Sequence, residues 1–201
     1  DEEIGCTGAP PMIAAMQGVV PKGSAVVVGE PSMMKAVTGH KGGFGFSTHV
    51  HGFEVHSSLV HSGVSAIMQA AKLVDWTNTT NAQNWAQEPD AVAGMFVPPW
   101  TTMHVGVIEG GTAQNITAKD CSFSLDMRVL PTESAAEWRE AYLQRVAEVE
   151  AEMQAICPDT KIVVKQTFDV PTLRPEENGA AESLARAITG DNGAHWVSYG
   201  T

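Results

Sequence analysis

Residues 42–50 read GGFGFSTHV, and this stretch decides the fold of the central part of the chain. Its larger side chains alternate with small or polar residues, at Phe44, Phe46, Thr48 and Val50. Successive side chains of a β-strand point to opposite faces of the sheet. The alternation therefore predicts a strand with one buried face and one solvated face.

The elements that follow this strand predict an α+β unit. Apolar residues at helical spacing predict a helix over 62–76, and an Ala/Glu-rich segment predicts a second helix over 134–156. Alternation predicts further strands at 103–107, 121–128 and 161–168. The segment 78–100 is rich in Asn, Gln and Pro and predicts a long loop. The order strand, helix, strand, strand, helix, strand is typical of a ferredoxin-like unit.

The residues on either side of this unit show a different sequence pattern, which is typical of an α/β domain. A helix is predicted over 7–18, and the continuous apolar run at 24–29 predicts a parallel strand that is covered on both faces. After the unit, a helix over 176–189 and a strand over 195–199 are predicted. We therefore expect an α/β domain that is interrupted by an inserted ferredoxin-like α+β domain. The predicted boundaries are 1–38, 39–169 and 170–201, with the insert in the middle.

Composition restricts the classes of partner. The chain has 201 residues and a formal charge of −11, which argues against binding to nucleic acid or anionic lipid. No apolar run approaches the roughly 20 residues that span a bilayer. Three widely spaced cysteines, Cys6, Cys121 and Cys157, predict reduced thiols in a cytoplasmic protein. Because the sequence starts at Asp1 without a methionine, we expect it to be part of a longer chain.

Two acidic groups are candidate metal ligands. Asp1, Glu2 and Glu3 are consecutive, so neighbouring carboxylates could serve a metal ion and a water molecule. An acidic helix N-terminus is the alternative. Glu30 follows the predicted buried strand, where open α/β sheets place ligands. A solvated loop acid would have the same sequence.

The predicted insert contains the other candidates. Residues 49–61 carry four histidines, of which His49 and His51 share one face of a strand and His56 precedes two small serines. Residues 110–115, GGTAQN, are consistent with a hairpin turn. Arg128 lies on the polar face of its predicted strand, where it could hold a substrate carboxylate or pair with Asp126.

Taken in chain order, these strings resemble one family. They are DEEIG, VGEPS, GHKGGFGF, HGFEVHSS followed by GVSAI, GGTAQN, SLDMRVLP and VSYGT, and together they are similar to the M20 family of di-zinc amidohydrolases. The resemblance implies a lid and dimerisation domain inserted into a zinc-binding α/β domain. It implies hydrolysis of the amide bond of an N-acyl amino acid, with N2-acetylornithine in arginine biosynthesis favoured. A succinyl-diaminopimelate substrate, another M20 peptidase or aminoacylase activity, and a non-catalytic dimerising fragment are the alternatives.

The resemblance also implies roles for single residues. They are a general base at Glu2, metal ligands at Glu3 and Glu30, an oxyanion donor at His56 that reaches the partner subunit's site, and substrate contacts at Asn115, Arg128, Gly200 and Thr201. It implies two Zn²⁺ ions per site, with Co²⁺ as an alternative, and a homodimer formed by the inserted domain. The family's remaining metal ligands lie outside this sequence. We therefore expect the 201-residue chain alone to hold no metal tightly and to be inactive.

Overall fold

The computed structural model describes residues 7–23, 26–176 and 179–199. The helices are α1 (Ala9–Met16), α2 (Ala66–Trp85), α3 (Ala135–Gln154) and α4 (Ala180–Thr189). The strands are β1 (Val37–His40), β2 (Gly42–His51), β3 (Thr102–Gly110), β4 (Asp120–Val129), β5 (Lys161–Val170) and β6 (His195–Val197). Short 3₁₀ helices cover Ser57–Ser62 and Ala93–Met95.

The central unit is a four-stranded antiparallel sheet in the order β3-β4-β2-β5. Its two helices, α2 and α3, pack against each other and against the strands. Since the chain order is β2, α2, β3, β4, α3, β5, the topology is that of the ferredoxin-like unit. The mixed α/β fold class and this predicted order of elements are confirmed.

The core lies between the sheet and the two helices. Phe46 stacks on Tyr142 of α3, with ring centroids 5.3 Å apart, and Phe44 meets Phe46 edge to face. The Tyr142 hydroxyl shares a hydrogen bond of 2.6 Å with Thr48 Oγ1, so the alternating face of β2 is fixed to α3. Burial raises the pKa of the Tyr142 phenol, which remains protonated and keeps this bond across the physiological range.

Helix α2 is longer than the sequence predicted, and the prediction of a loop from residue 78 is wrong. The helix continues to Trp85 because its polar residues have buried backbone partners. The Asn81 side chain bonds both to the carbonyl and to the N–H of Met103, at 2.7 and 2.9 Å, and Asn84 donates to Thr101 O at 2.9 Å. The irregular segment begins only after this helix.

The flanking residues form a second, smaller sheet. In it β1 and β6 pair in parallel, so chain segments from both sides of the predicted insert meet. One residue, Lys41, separates β1 from β2 in the larger sheet. The point at which the chain passes from the small sheet to the large one therefore lies within two residues of Gly39, where the predicted insert begins. The division into domains stays a prediction.

The predicted buried strand over 24–29 is wrong for the residues that the structure describes. Val26, Val27 and Val28 lie in no strand, and each is at least 65% exposed. A parallel strand needs neighbouring strands and covering helices, and no described strand pairs with these residues. Helix α1 is present where it was predicted, with prolines in its first turn.

Candidate functional site

His56 is exposed and held in a defined orientation at the start of the 3₁₀ helix Ser57–Ser62. Its Nδ1 accepts from the Ser58 backbone N–H at 3.3 Å and lies 2.8 Å from Ser58 Oγ. In a neutral imidazole, one ring nitrogen accepts and the other carries the proton. We assign the proton to Nε2 on this network, which makes Nε2 a hydrogen-bond donor that is available at the surface.

Asn115 lies beside His56. The backbone carbonyl of Asn115 accepts from Ser57 N at 2.8 Å, and His56 pairs with Ile116 in a short antiparallel bridge. Thr117 fixes this pairing, because its buried hydroxyl accepts from Val55 N at 2.8 Å. Two predicted site residues, from segments 59 positions apart in sequence (115 − 56), are therefore brought together.

Arg128 lies on the polar face of β4, as the alternation predicted. Its Nε and one terminal nitrogen donate to the two carboxylate oxygens of Asp126, both at 2.8 Å. The guanidinium carbon lies 5.5 Å from the centroid of the Phe168 ring. The pairing with Asp126 is the alternative that the sequence left open. The other terminal nitrogen is not used in this ion pair, so the Arg128 side chain is positioned but retains donors.

One chain does not bring Arg128 and His56 together. Arg128 is opposite Gly43, at the start of β2, whereas Asp120 is opposite His51, at the end of β2. The His56 segment continues from that second end. Eight residues of β4 (128 − 120) separate the two ends, or about 27 Å at about 3.4 Å per residue.

The predicted metal ligands are not assembled by the described residues. Glu2 and Glu3 lie outside those residues, as do the predicted substrate contacts Gly200 and Thr201. Glu30 is exposed and does not end a strand, so the sequence argument for its position is wrong. Zn²⁺ takes about four ligands. Within the described ranges, one group of three side chains has its potential ligand atoms within 4.8 Å of one another, and this group does not include Glu30. The described residues therefore do not make the implied zinc site.

That group consists of His49, His51 and Asp120, and the sequence reasoning missed it as a set. His49 Nε2 lies 2.9 Å and His51 Nδ1 3.1 Å from Asp120 Oδ1. The hydrogen bond from His49 is the main cause that lowers the pKa of Asp120. Alternation predicted that the two histidines share a face. Only the register of β2 with β4 shows that Asp120 joins them.

The comparison with protein families identifies the unit that carries His56, Asn115 and Arg128. The sequence model of the M20 peptidase dimerisation domain matches residues 38–154, which is more than half of the chain. The chain belongs to this family. The resemblance stated above is thus confirmed for the family, and the match covers β2, α2, β3, β4 and α3 of this M20 dimerisation domain.

Curated relatives span the flanks as well as the dimerisation domain. An acetylornithine deacetylase from Myxococcus xanthus is 29% identical over 90% of this chain and 48% of its own length. A probable carboxypeptidase from Aspergillus terreus is 27% identical over 100% of this chain and 50% of its own length. The chain spans about half the length of these relatives.

Solved structures agree with the fold. An amidase of the hydantoinase/carbamoylase family from Burkholderia vietnamiensis superposes with a TM-score of 0.60 at 19% identity, over 83% of this chain and 37% of its own. The aminopeptidase PepT from Bacillus cereus gives 0.54 at 20% identity, over 89% and 42%. Among the helices that the structure describes, none is both long and apolar enough to cross a bilayer. The cytoplasmic location stays a prediction.

Proposed function

We propose that this chain is part of a homodimeric, metal-dependent amidohydrolase and contains its dimerisation and lid domain. The substrate class that we infer is an N-acyl amino acid, with N2-acetylornithine as the first candidate. The family match and the similarity to the acetylornithine deacetylase from Myxococcus xanthus support this proposal.

The observation that carries the proposal is the separation of His56 from Arg128 on one sheet. The two ends of β4, one carrying Arg128 and the other adjoining the His56 segment, are about 27 Å apart, which is more than a single substrate of amino-acid size spans. In a dimer with twofold symmetry, however, the same surface patch of each protomer contacts the other protomer. One protomer can therefore contribute residues to the site of its partner. We infer that each site takes Arg128 from one protomer and His56 from its partner. Asn115 accompanies His56, because the two segments are paired.

In this proposal each residue has a limited task. The His56 Nε2–H donates to the oxyanion that develops when the amide carbonyl is attacked, and Ser58 holds the ring for this purpose. Arg128 uses its remaining donors for the substrate carboxylate, with Asp126 and Phe168 limiting its motion. Binding metal at Glu3 and Glu30, and Glu2 as the base, stay predictions from the resemblance.

The surface at which two protomers meet is inferred from the free edges of the sheet. On the β3 side, Ile67 and Met68 of α2 and Ile108 of β3 are 42%, 60% and 50% exposed. On the β5 side, Lys161 and Lys165 are exposed along the strand, and lysines on an edge oppose pairing with another chain. We therefore place the dimer contact at α2 and β3.

The test of this function is an assay of the enzyme that contains this chain, with N2-acetylornithine as substrate. His56→Ala is expected to lower kcat about 10²–10³-fold with little change in KM, because an oxyanion donor acts in the transition state. His61→Ala is the control, since His61 is exposed on the same 3₁₀ helix but has no proposed role. A His56→Ala variant with the kcat of the His61→Ala control would contradict the assignment.

A peptide substrate is the second candidate. It is favoured by the similarity over the whole chain to the probable carboxypeptidase from Aspergillus terreus. Parallel assays with N2-acetylornithine, succinyl-diaminopimelate and a dipeptide with a free carboxylate distinguish the substrates. Hydrolysis of the dipeptide alone would replace the deacetylase assignment by a peptidase one.

A further inference from the structure

A cluster of two imidazoles and one carboxylate lies on the four-stranded sheet, and it does not include Glu30, the described residue that the resemblance assigns to metal. His49 and His51 belong to β2 and Asp120 begins β4. One ligand atom from each residue lies within 4.8 Å of the others. The side chains are 40%, 33% and 54% exposed, so an ion in solution can reach them.

The backbone holds these three residues in place. His51 is directly opposite Asp120 in the antiparallel ladder, and His49 is opposite Ser122. Residues two apart on a strand share a face, so the two histidines project on the same side, with ring centroids 3.9 Å apart. The positions of the ligands thus follow from the register of two neighbouring strands in the middle of the sheet.

The spacing of the ligand atoms is close to that of a metal site. Tetrahedral Zn²⁺ holds nitrogen and oxygen ligands at about 2.0–2.1 Å, which places neighbouring ligands about 3.4 Å apart. The two separations from Asp120 Oδ1 are 2.9 and 3.1 Å. An ion would replace these two contacts, with each histidine nitrogen about 0.3–0.5 Å further from Asp120 Oδ1 than it is here.

We propose that His49, His51 and Asp120 bind one divalent transition-metal ion of the Zn²⁺ class. Two neutral imidazoles and a carboxylate suit zinc and its neighbours, whereas Ca²⁺ and Mg²⁺ prefer oxygen ligands. Three protein ligands leave one coordination position open for water or a further group. The site does not include Glu30 and does not depend on the proposed amidohydrolase activity. It departs from the expectation that the chain alone holds no metal tightly, which rested on the ligands of the two-zinc site implied by the resemblance.

Such an ion would link the two strand ends from which the His56 and Asn115 segments emerge. Gly52, just after β2, donates to Lys119 O, just before β4, at 2.6 Å, so these ends are already joined by the backbone. The ion would add a side-chain link at the same place. A ligand that binds only the folded state stabilises it, so zinc is expected to raise the Tm of the chain.

The test is a calorimetric titration of the metal-free chain with ZnCl₂, alongside melting curves. The expected result is that His51→Ala weakens zinc binding by more than about tenfold and removes the rise in Tm, because loss of a direct ligand exceeds the effect of outer-shell changes. His104→Ala is the matched control, since His104 is a single exposed histidine on β3. Circular dichroism of each variant establishes that it is folded.

Two further arms make the result decisive. Asp120→Asn keeps the side-chain volume and is expected to weaken zinc binding in the same way as His51→Ala. Glu30→Gln is expected to leave this binding unchanged. The proposal is overturned if zinc binding is equal in the parent chain and His51→Ala, or if it is lost in Glu30→Gln and retained in His51→Ala.

Discussion

At the scale of single residues, Lys41 is the clearest case of a group whose environment changes its chemistry. It is fully buried where the chain passes from the small sheet to the large one. Its ammonium donates to the carbonyls of Pro98 and Trp100 at 2.8 and 2.6 Å. Burial lowers the pKa of Lys41 from 10.5 to about 8, and Glu133 opposes this shift. Lys41 therefore holds the end of the irregular segment that follows α2 through two hydrogen bonds. The cost is the unfavourable free energy of burying its charged ammonium.

This cost predicts a pH dependence of stability. Between pH 8 and 10.5 the unfolded chain binds more protons at Lys41 than the folded chain, so the free energy of unfolding rises with pH in this window. Urea unfolding of the parent chain and of Lys41→Met at about pH 7.5 and 9.5 measures it. The parent is expected to gain roughly 2 kcal/mol relative to the variant. A difference between the two proteins that does not change with pH would show that Lys41 titrates normally.

At the scale of elements, the C-terminal half of α2 shows how polar side chains can extend a helix. Thr77 and Thr80 satisfy their hydroxyls on helix carbonyls, at 2.7 and 2.8 Å. Asn81 continues the hydrogen bonding of the sheet, because it pairs with the backbone of Met103 at the start of β3. The helix and the edge strand are thus joined by side-chain amides rather than by apolar packing alone.

Asn81→Ala is expected to lower the free energy of unfolding by about 1–3 kcal/mol, because it leaves both backbone groups of Met103 without their partner. Asn78→Ala is the control, since Asn78 is exposed on the same helix and its change should stay within about 0.5 kcal/mol. Urea denaturation of the two variants compares them. Equal stability of the two would mean that the Asn81 bonds do not hold the helix to β3.

The sequence predicted those parts of the fold that depend on local periodicity. Alternation located β2 and β4 and placed Arg128 on the polar face of its strand. It did not locate the end of α2, because the partners of Asn81 and Asn84 are backbone groups of a distant strand. The same limit applies to the site. The resemblance implied roles for His56 and Asn115 but not their pairing, and both this pairing and the contact of Asp120 with the histidines depend on strand register, which local periodicity does not encode.

At the scale of the whole molecule, the two edges of the large sheet differ. Strand β3 has exposed apolar side chains beside α2, whereas β5 carries exposed lysines. Exposed lysines protect an edge against pairing with another chain, and apolar edges favour it. Self-association of the proposed homodimer is therefore expected at one edge only.

Matched substitutions on the two edges test this difference. Ile108→Glu on β3 is expected to weaken self-association by at least about tenfold, since a charge would be buried at the contact. Val163→Glu on β5 is expected to leave the dimer intact, although Val163 is 47% exposed and Ile108 is 50% exposed. Sedimentation velocity over a concentration series measures the assembly. Dissociation by Val163→Glu with a stable Ile108→Glu dimer would place the contact at the opposite edge.

The central claim is that each active site combines Arg128 of one protomer with His56 of the other, and mixing two inactive variants tests it directly. His56→Ala and Arg128→Ala enzymes are each expected to have little activity. After exchange of subunits in equal amounts, half of the dimers carry both variants and have one intact site, so activity should recover to about a quarter of the parent value. If both groups act within one protomer, no mixed dimer has an intact site. A mixture no more active than the separate variants would contradict the account.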